Sequence, residues 1–459
     1  MVGVRAGFPI RVLSGAALLA LCAAPAFADL RAGAAKRTVT PDLEKFGPVY
    51  MAGFGHNRRA TSIHDELWAR CLALGEERMP LVICGVDSIG LFREDVIKIR
   101  ELVKKQVGRD ADVVVAALHD HEAPDTMGLW GPREETSGIN ESYNRYVIER
   151  TAEAAVEAIK GLKPANFVLA KAHPAILDSF IDDTRPPVVH DAEVIALSAV
   201  AEDGTRIATL VNWANHPETL GSKNTAITSD YPGYLRDELE KRLGGMAVFV
   251  NGAVGGMQSP LGAKIEGIPE ESFDKAQYIG NRVADIAADA VLAAKPETLT
   301  GFEFDETTIH IPVANKGFQL AAKADLYNGR KPMSASGSTA APVGLVRLRD
   351  GDADRLAIAL IPGELYPELS VGGVERYSGA DFPDAPIEPA IKSTTDTPYR
   401  MLFGLADDEI GYIIPKAEWD DREPWLNGAS KRWYGEVNSV GPEAAPMIVK
   451  AFQELWTAQ

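Results

Sequence analysis

Two hydrophobic periods alternate along this chain. Compact apolar runs at 67–74, 80–86, 112–118, 166–172, 192–200, 206–213, 246–251, 302–312 and 355–361 predict β-strands. Between them, apolar residues recur at helical spacing. The segment "EDVIKIRELVKKQVG" carries Val96, Ile97, Ile99, Leu102, Val103 and Val107 and closes on Gly108. "SYNRYVIERTAEAAVEAIKGL", "FDKAQYIGNRVADIAADAVLAA" and "GPEAAPMIVKAFQELW" read in the same way, the last with Pro442 in its first turn. This alternation predicts the α/β class, with mixed β-sheets flanked by α-helices. Three stretches, 122–140, 328–342 and 378–399, read as long loops of the kind that cover sites. The pattern resumes after each and no internal repeat interrupts it, so one domain over 29–459 is expected.

The first 28 residues stand apart. Arg5 and Arg11 precede an apolar run from Val12 to Ala24, and Ala26-Phe27-Ala28 is a small-x-small cleavage pattern, so 1–28 reads as a secretory signal peptide. The run is too short to span a bilayer. Cys22 raises a lipoprotein alternative, but Leu21 stands where a small residue is expected. The expected location is therefore periplasmic or secreted. Without Arg5 and Arg11 the 47 Lys+Arg become 45 against 65 Asp+Glu, a formal charge of −20. So acidic a surface excludes nucleic acid as an expected partner. Cys71 and Cys84 flank an apparent hairpin turning near Glu77 and Arg78. Export permits a disulfide there. Two buried free thiols are the preferred reading, because unpaired cysteine is among the most buried residue types.

The candidate chemistry sits where strands end. "VVVAAL" runs into His119 and His121, and if the extended backbone continues past Leu118 both imidazoles face one metal ion or one reacting group. "RIATLVNWAN" precedes His216, "RLAIALIPG" precedes Glu364, and "EIGYIIP" holds Tyr412. Ligands in open α/β sheets sit at the carboxyl ends of strands, so these groups can converge. Two neutral imidazoles and a carboxylate suit a catalytic zinc that keeps a position open. Rival metal motifs fail: Glu122 and Ala123 follow the H-x-H pair where a two-metal β-lactamase-like site needs D-H, no eightfold repeat accompanies it, and H-E-x-x-H does not occur.

"VFVNGAVGGMQSP" opens a buried strand into Gly255, Gly256 and Ser259. The glycine N–H groups and the serine hydroxyl can serve an oxyanion or a polar head group, and Ser259 is a candidate catalytic residue that can also act as a nucleophile; the plainer alternative is a tight turn with a capping serine, since no G-x-S-x-G elbow is present. Asp87, Asp120 and Asp230 are candidates for carboxylates that orient the imidazoles, or else caps and surface charges. Leu129, Trp130, Met257, Trp425 and Trp433 can line an apolar groove, and His64 can stand at its edge.

In order along the chain, "MAGFGHNRRATSIHDELWARCLAL", "ALHDHEAPDT", "NWANHPETLGSKNTAITSDYPGYL", "VFVNGAVGGMQSP", "IPGELY" and "DDEIGYIIP" resemble blocks of the neutral ceramidases, zinc amidases that cleave the N-acyl bond of ceramide. The resemblance covers most of the mature chain. It implies one catalytic Zn2+ held by His119, His216, Glu364 and Tyr412, with His121 beside it as the proton-transfer group. It puts Ser259 in the substrate site, and matches Tyr434 in "WYGEVNS" to a further active-site tyrosine. The implied partner is an amphiphilic N-acyl lipid, with transient contact at a membrane surface. Two departures bear on substrate: Glu122 stands where the family has serine, and the glycine loop lacks the acidic residue usual before its serine. The family's C-terminal immunoglobulin-like domain has no counterpart before Gln459, so a catalytic domain without it is expected. The altered substrate-facing parts keep open a zinc hydrolase of another amide or ester and, as a third reading, a non-catalytic metal- or lipid-binding protein.

Overall fold

The structure is a computed structural model that describes residues 1–3, 30–76, 78–331 and 333–458. The segment 4–29, with nearly all of the leader and Cys22, lies outside the described residues, as does Glu77. Among those described, nine strands form one mixed sheet. Its spatial order is Met246–Asn251, Arg206–Trp213, Val194–Ala201, Lys163–Ala172, Arg31–Thr38, Trp68–Glu76, Met79–Val86 and Asp112–Ala117, with Pro296–Glu297 added beside Lys163–Ala172. A four-stranded sheet is ordered Gly301–Pro312, Ser338–Asp350, Ala353–Leu360 and Tyr399–Phe403.

Why the apolar runs fail to alternate is visible in the layers. In Trp68–Glu76, Cys71 and Ala73 face the helices Arg93–Val107 and Glu141–Lys160, while Leu72 and Leu74 face the second sheet with Val346, Leu356 and Ile358. Successive strand residues point to opposite faces, so a strand buried on both reads as a continuous run. The helices Asp230–Leu243 and Phe273–Ala293 cover the other half of the outer face, and Ala444–Thr457 backs the small sheet. The result is a helix, sheet, sheet, helix stack around several contiguous apolar cores.

Twist brings the edges of the large sheet together. Its pairing is parallel at both ends and antiparallel at the five steps between, so the two edge strands run formally in opposite senses. A right-handed twist of roughly 20–25° per neighbour accumulates to roughly 140–175° over the path and turns their carboxyl ends towards one another. The contact is direct: at Gly85 a Cβ would lie 2.4 Å from the Phe249 carbonyl oxygen. Asn251 Nδ2 donates to the carbonyls of Leu118 (3.0 Å) and Asn215 (2.8 Å), tying together the turns that carry His119 and His216. Asn212 joins the two sheets by donating to Val250 and Leu402 carbonyls and accepting from the Leu402 N–H.

Several expectations change. Cys71 and Cys84 are register partners on adjacent strands and form a disulfide, not two free thiols. The expected loop 328–342 becomes strand from Ser338, a start the sequence hides behind Ser, Thr, Ala and Pro342, and Tyr399 already belongs to a strand. Pro442 lies ahead of the terminal helix, which begins at Ala444. Ser229, not Asp230, occupies the N-cap position of the helix Asp230–Leu243.

Asp87 and Arg236 meet through two hydrogen bonds of 2.6 and 2.8 Å, and both side chains are 1% exposed. Removing one partner leaves a buried charge uncompensated, so Arg236→Ala should lower unfolding free energy by about 3–5 kcal/mol in urea titration, against a small effect for an exposed pair such as Lys450–Glu454.

Candidate functional site

The strand Asp112–Ala117 ends earlier than an H-x-H alternation requires. His119 has φ +64, in the left-handed region, so the chain turns there and does not continue extended. The imidazoles still converge, but through this turn: the His119 and His121 ring centroids are 4.8 Å apart, and His216 lies 4.9 Å from His119. His119 Nδ1 sits 2.8 Å from the Ile89 carbonyl oxygen, and His216 Nδ1 sits 2.7 Å from that of Gln258. A carbonyl can only accept, so each ring carries its proton on Nδ1 and leaves the Nε2 lone pair free.

Both Nε2 atoms meet the same carboxylate oxygen. Glu364 Oε2 is 3.3 Å from His119 Nε2 and 3.1 Å from His216 Nε2. Glu364 and Tyr412 are paired in register on two short parallel strands, which puts the phenol on the Glu364 side. The Tyr412 hydroxyl lies 3.2 Å from Met257 Sδ and within hydrogen-bonding contact of Glu364. Burial works against ionisation of Glu364, but the two imidazoles hold its carboxyl well below the usual range. Burial likewise opposes the charged form of His119, and Glu364 outweighs it and raises that pKa.

His121 occupies a different environment. Burial lowers its pKa to about 4, leaving a neutral imidazole at pH 7. Its Nδ1 is 3.1 Å from Glu218 Oε2, close but off the line of a hydrogen bond. Glu218 is 2% exposed; burial opposes its ionisation, but His121, His216 and the Ser259 hydroxyl hold it down to about 2. Gly53, at φ +89, passes against the ring so closely that a Cβ there would lie 2.4 Å from His121 Cγ. Phe54 meets the ring edge-on at 5.1 Å.

Donor atoms of His119, His121 and His216 lie within 4.8 Å of one another, so this buried group can hold a metal ion. The fit extends to Glu364. Tetrahedral zinc with bonds of roughly 2.0–2.1 Å keeps its ligand atoms roughly 3.3 Å apart, and the Nε2–Oε2 spacings of 3.3 and 3.1 Å match. The site opens into a cavity of about 480 Å³. Its lining is mostly apolar, including Phe54, Phe92, Met127, Leu129, Trp130 and Phe318, with Glu218 and Tyr412 among its polar groups. The half-exposed Tyr434 completes the lining beside Tyr412, ring centroids 5.8 Å apart.

Other expected residues lie elsewhere. The Gly255 N–H donates to the Leu365 carbonyl at 2.9 Å, so it has nothing left for an oxyanion; Gly256 packs against Asp183, and neither glycine lines the cavity. Ser259 also stands behind the wall: its Oγ accepts from the Leu261 N–H and meets Glu218. Glu122 pairs with Arg58 at 3.1 Å, and Arg58 donates to the carbonyls of Ala52 and His121, so this departure from the family pattern clamps backbone and does not face a ligand. Asp87 holds Arg236, Asp120 accepts from the Glu122 N–H, and Asp230 accepts from Thr219; none orients a ligand imidazole, which carbonyls do instead. Met257, Leu129 and Trp130 line the cavity, whereas Trp425, Trp433 and His64 do not; His64 stacks on Phe273 at 3.8 Å. The residues missed from sequence are Glu218 and Asn251. Glu218 stands two positions after a strand-end histidine, the offset that also separates His121 from His119, yet one loop carboxylate says little alone.

Zinc titration of the metal-free chain by calorimetry should show one tight site. Glu364→Gln should weaken it by about 100-fold or more, since the amide removes the charge that faces both Nε2 atoms; unchanged affinity would remove Glu364 from the ligand set.

No protein-family model matches this chain, and no curated protein matches it by sequence. Solved structures do. The chain superposes on the neutral ceramidase from Pseudomonas aeruginosa with a TM-score of 0.71 and 16% identity, covering 94% of this chain and 74% of that one. A ceramidase complexed with C2 gives the same TM-score and identity over 94% of this chain and 75% of its own. At this identity the likeness establishes architecture: the α/β chain described above has the fold of these ceramidases.

Proposed function

We propose that this protein is an exported, zinc-dependent amidohydrolase that cleaves the N-acyl bond of a lipid amide, ceramide or a relative of it, to a fatty acid and an amine. The observation that carries the reading is the Glu364 oxygen shared by the His119 and His216 Nε2 atoms at the inner end of an apolar cavity. The ceramidase fold supports the amide substrate.

His119, His216 and Glu364 would hold the ion, with the Tyr412 phenol as the fourth protein group. When bound, zinc supplies Lewis acidity and brings the pKa of water towards neutrality. His121 reaches the same centre and takes the proton-transfer role beside the ion that the ceramidase resemblance implies. Its neutral imidazole takes the proton of the attacking water and returns it to the leaving amine, a task suited to a base that is unprotonated at pH 7. The apolar wall from Phe92 to Trp130 takes the acyl chain and excludes water from the reacting carbonyl. Tyr434, partly exposed at the mouth, meets the part of the substrate that remains outside.

One observation favours a different head group within the same chemistry. Ser259 and Gly255, the positions expected to meet the polar head, stand behind the cavity wall. A zinc hydrolase of another N-acyl amide or ester would keep the metal cradle and the acyl pocket and lose only those contacts.

Fatty-acid release from ceramide, followed by mass spectrometry with and without a zinc chelator, tests the first reading. Chelator-sensitive release is expected, and His121→Ala should keep its zinc while losing about 10²- to 10⁴-fold in rate. A zinc-loaded protein that releases nothing from ceramide but hydrolyses a simple N-acyl amide would select the second reading.

A further inference from the structure

We infer that Glu368 and Glu418 form a site for a calcium ion, outside the histidine centre, that ties together the two chain segments leaving Glu364 and Tyr412.

The two carboxylates arrive there by parallel routes. Glu364 and Tyr412 are register partners on the short parallel strands Glu364–Leu365 and Tyr412–Ile413, and the Tyr366 N–H extends the pairing by donating to the Ile413 carbonyl at 3.0 Å. One segment then enters the helix Pro367–Val371, which carries Glu368. The other enters the short turn Lys416–Glu418 and ends on Glu418. Glu418 Oε1 accepts from the Glu375 N–H at 2.7 Å, which brings its side chain back onto the segment that follows Glu368. Both residues are 0% exposed.

Both oxygens of Glu368 and Oε2 of Glu418 have no hydrogen-bond partner. A carboxylate taken out of water needs compensation, and the cations on the adjoining segments are committed elsewhere. The terminal nitrogens of Arg185 bond Glu436 Oε2 at 2.7 Å and the Glu418 carbonyl at 2.8 Å, Lys392 pairs with Asp191, and Lys416 pairs with Glu443. Burial first, and the neighbouring Glu418 second, oppose a charge on Glu368, and Asp183 adds to the repulsion. One proton shared by the pair would join two oxygens and leave the third without a partner. A cation takes all three. Oxygen ligands select a hard ion, and a glutamate with both oxygens free beside a second carboxylate suits the bidentate and monodentate binding of calcium, whereas magnesium demands a stricter octahedron. Calcium–oxygen bonds of roughly 2.3–2.6 Å are shorter than a hydrogen bond to water, so an ion fits between oxygens that solvent does not reach.

Glu368 lies four residues beyond Glu364, and Glu418 six beyond Tyr412. An ion bridging them would hold the register of those two strands from behind, in addition to the backbone pairing. It supplies no chemistry to the reaction, so the inference stands apart from the hydrolase reading.

The test uses the zinc-loaded mature chain in calcium-free buffer, the zinc keeping added calcium out of the histidine centre. Equilibrium dialysis with radiolabelled calcium should find one bound ion per chain. CaCl2 at about 100 times the dissociation constant should raise Tm by about 2–5 °C. Glu368→Gln and Glu418→Gln should each lose the bound calcium and the Tm response while keeping wild-type zinc content, whereas Glu454→Gln, on an exposed pair with Lys450, should keep both. Absence of bound calcium in zinc-loaded wild type would overturn the inference and leave the pair sharing a proton. Calcium binding that survives both substitutions would overturn it too, and a Tm rise as large with MgCl2 would overturn the choice of ion.

Discussion

One buried carboxylate oxygen facing two imidazole nitrogens is the constraint around which this molecule is arranged. A carboxylate taken out of water without compensation is strongly unfavourable. Glu364 is 5% exposed, and what faces it is the Nε2 atom of His119 and of His216, residues 245 and 148 positions away in sequence; with both protons on Nδ1 these atoms present lone pairs, so a cation shared by the three atoms would supply the compensation. Each imidazole is useful to it only if Nε2 faces inward, and the carbonyls of Ile89 and Gln258 enforce that by taking the Nδ1 protons. The large sheet must therefore twist far enough to bring its two edges together, and Asn251 holds them there by bonding to the turns before both histidines. The small sheet must meet the large one with Glu364 in reach, which Asn212 secures.

The acidic composition takes on a local meaning in this light. Several carboxylates near the site are buried, and they act on backbone and on arginines, not on the ligands. Arg58 with Glu122 clamps the His121 carbonyl, and Arg236 with Asp87 fixes the strand beside it. Such pairs contribute little net stability compared with apolar packing, but breaking one leaves an uncompensated charge. Their value is positional: they hold the turns that carry the histidines. Beyond them the cavity lining is mostly apolar, although Lys331 and Glu409 also belong to it.

The strands were legible because burial on both faces leaves long apolar runs, and nine of them were placed within a few residues of their ends. Arg31–Thr38 was not, since its Ala, Gly, Lys and Arg residues carry no β signal and the strand is held by neighbours on both sides. Ser338–Asp350 was half hidden for the same reason. His119, His121, His216 and Glu364 follow apolar strand runs and Tyr412 lies within a short strand, and the structure brings these five together; the roles expected of them come from the ceramidase resemblance. Strand alternation does not continue through the histidine pair; a left-handed turn at His119 sets the geometry. Glu218 and Asn251 were invisible because their significance is a distance to residues far along the chain, and Gly255 and Ser259 fit the plainer alternative of a turn with a capping serine, because a glycine-rich loop can present its N–H groups to its own backbone as readily as to a ligand.

Anomalous diffraction at the zinc absorption edge from crystals of the zinc-loaded protein tests the central claim most directly. The account predicts a single strong peak bonded to His119 Nε2, His216 Nε2 and Glu364 Oε2, with His121 turned to Glu218. A peak bonded to His121 in place of Glu364, or no peak at this centre, would contradict it.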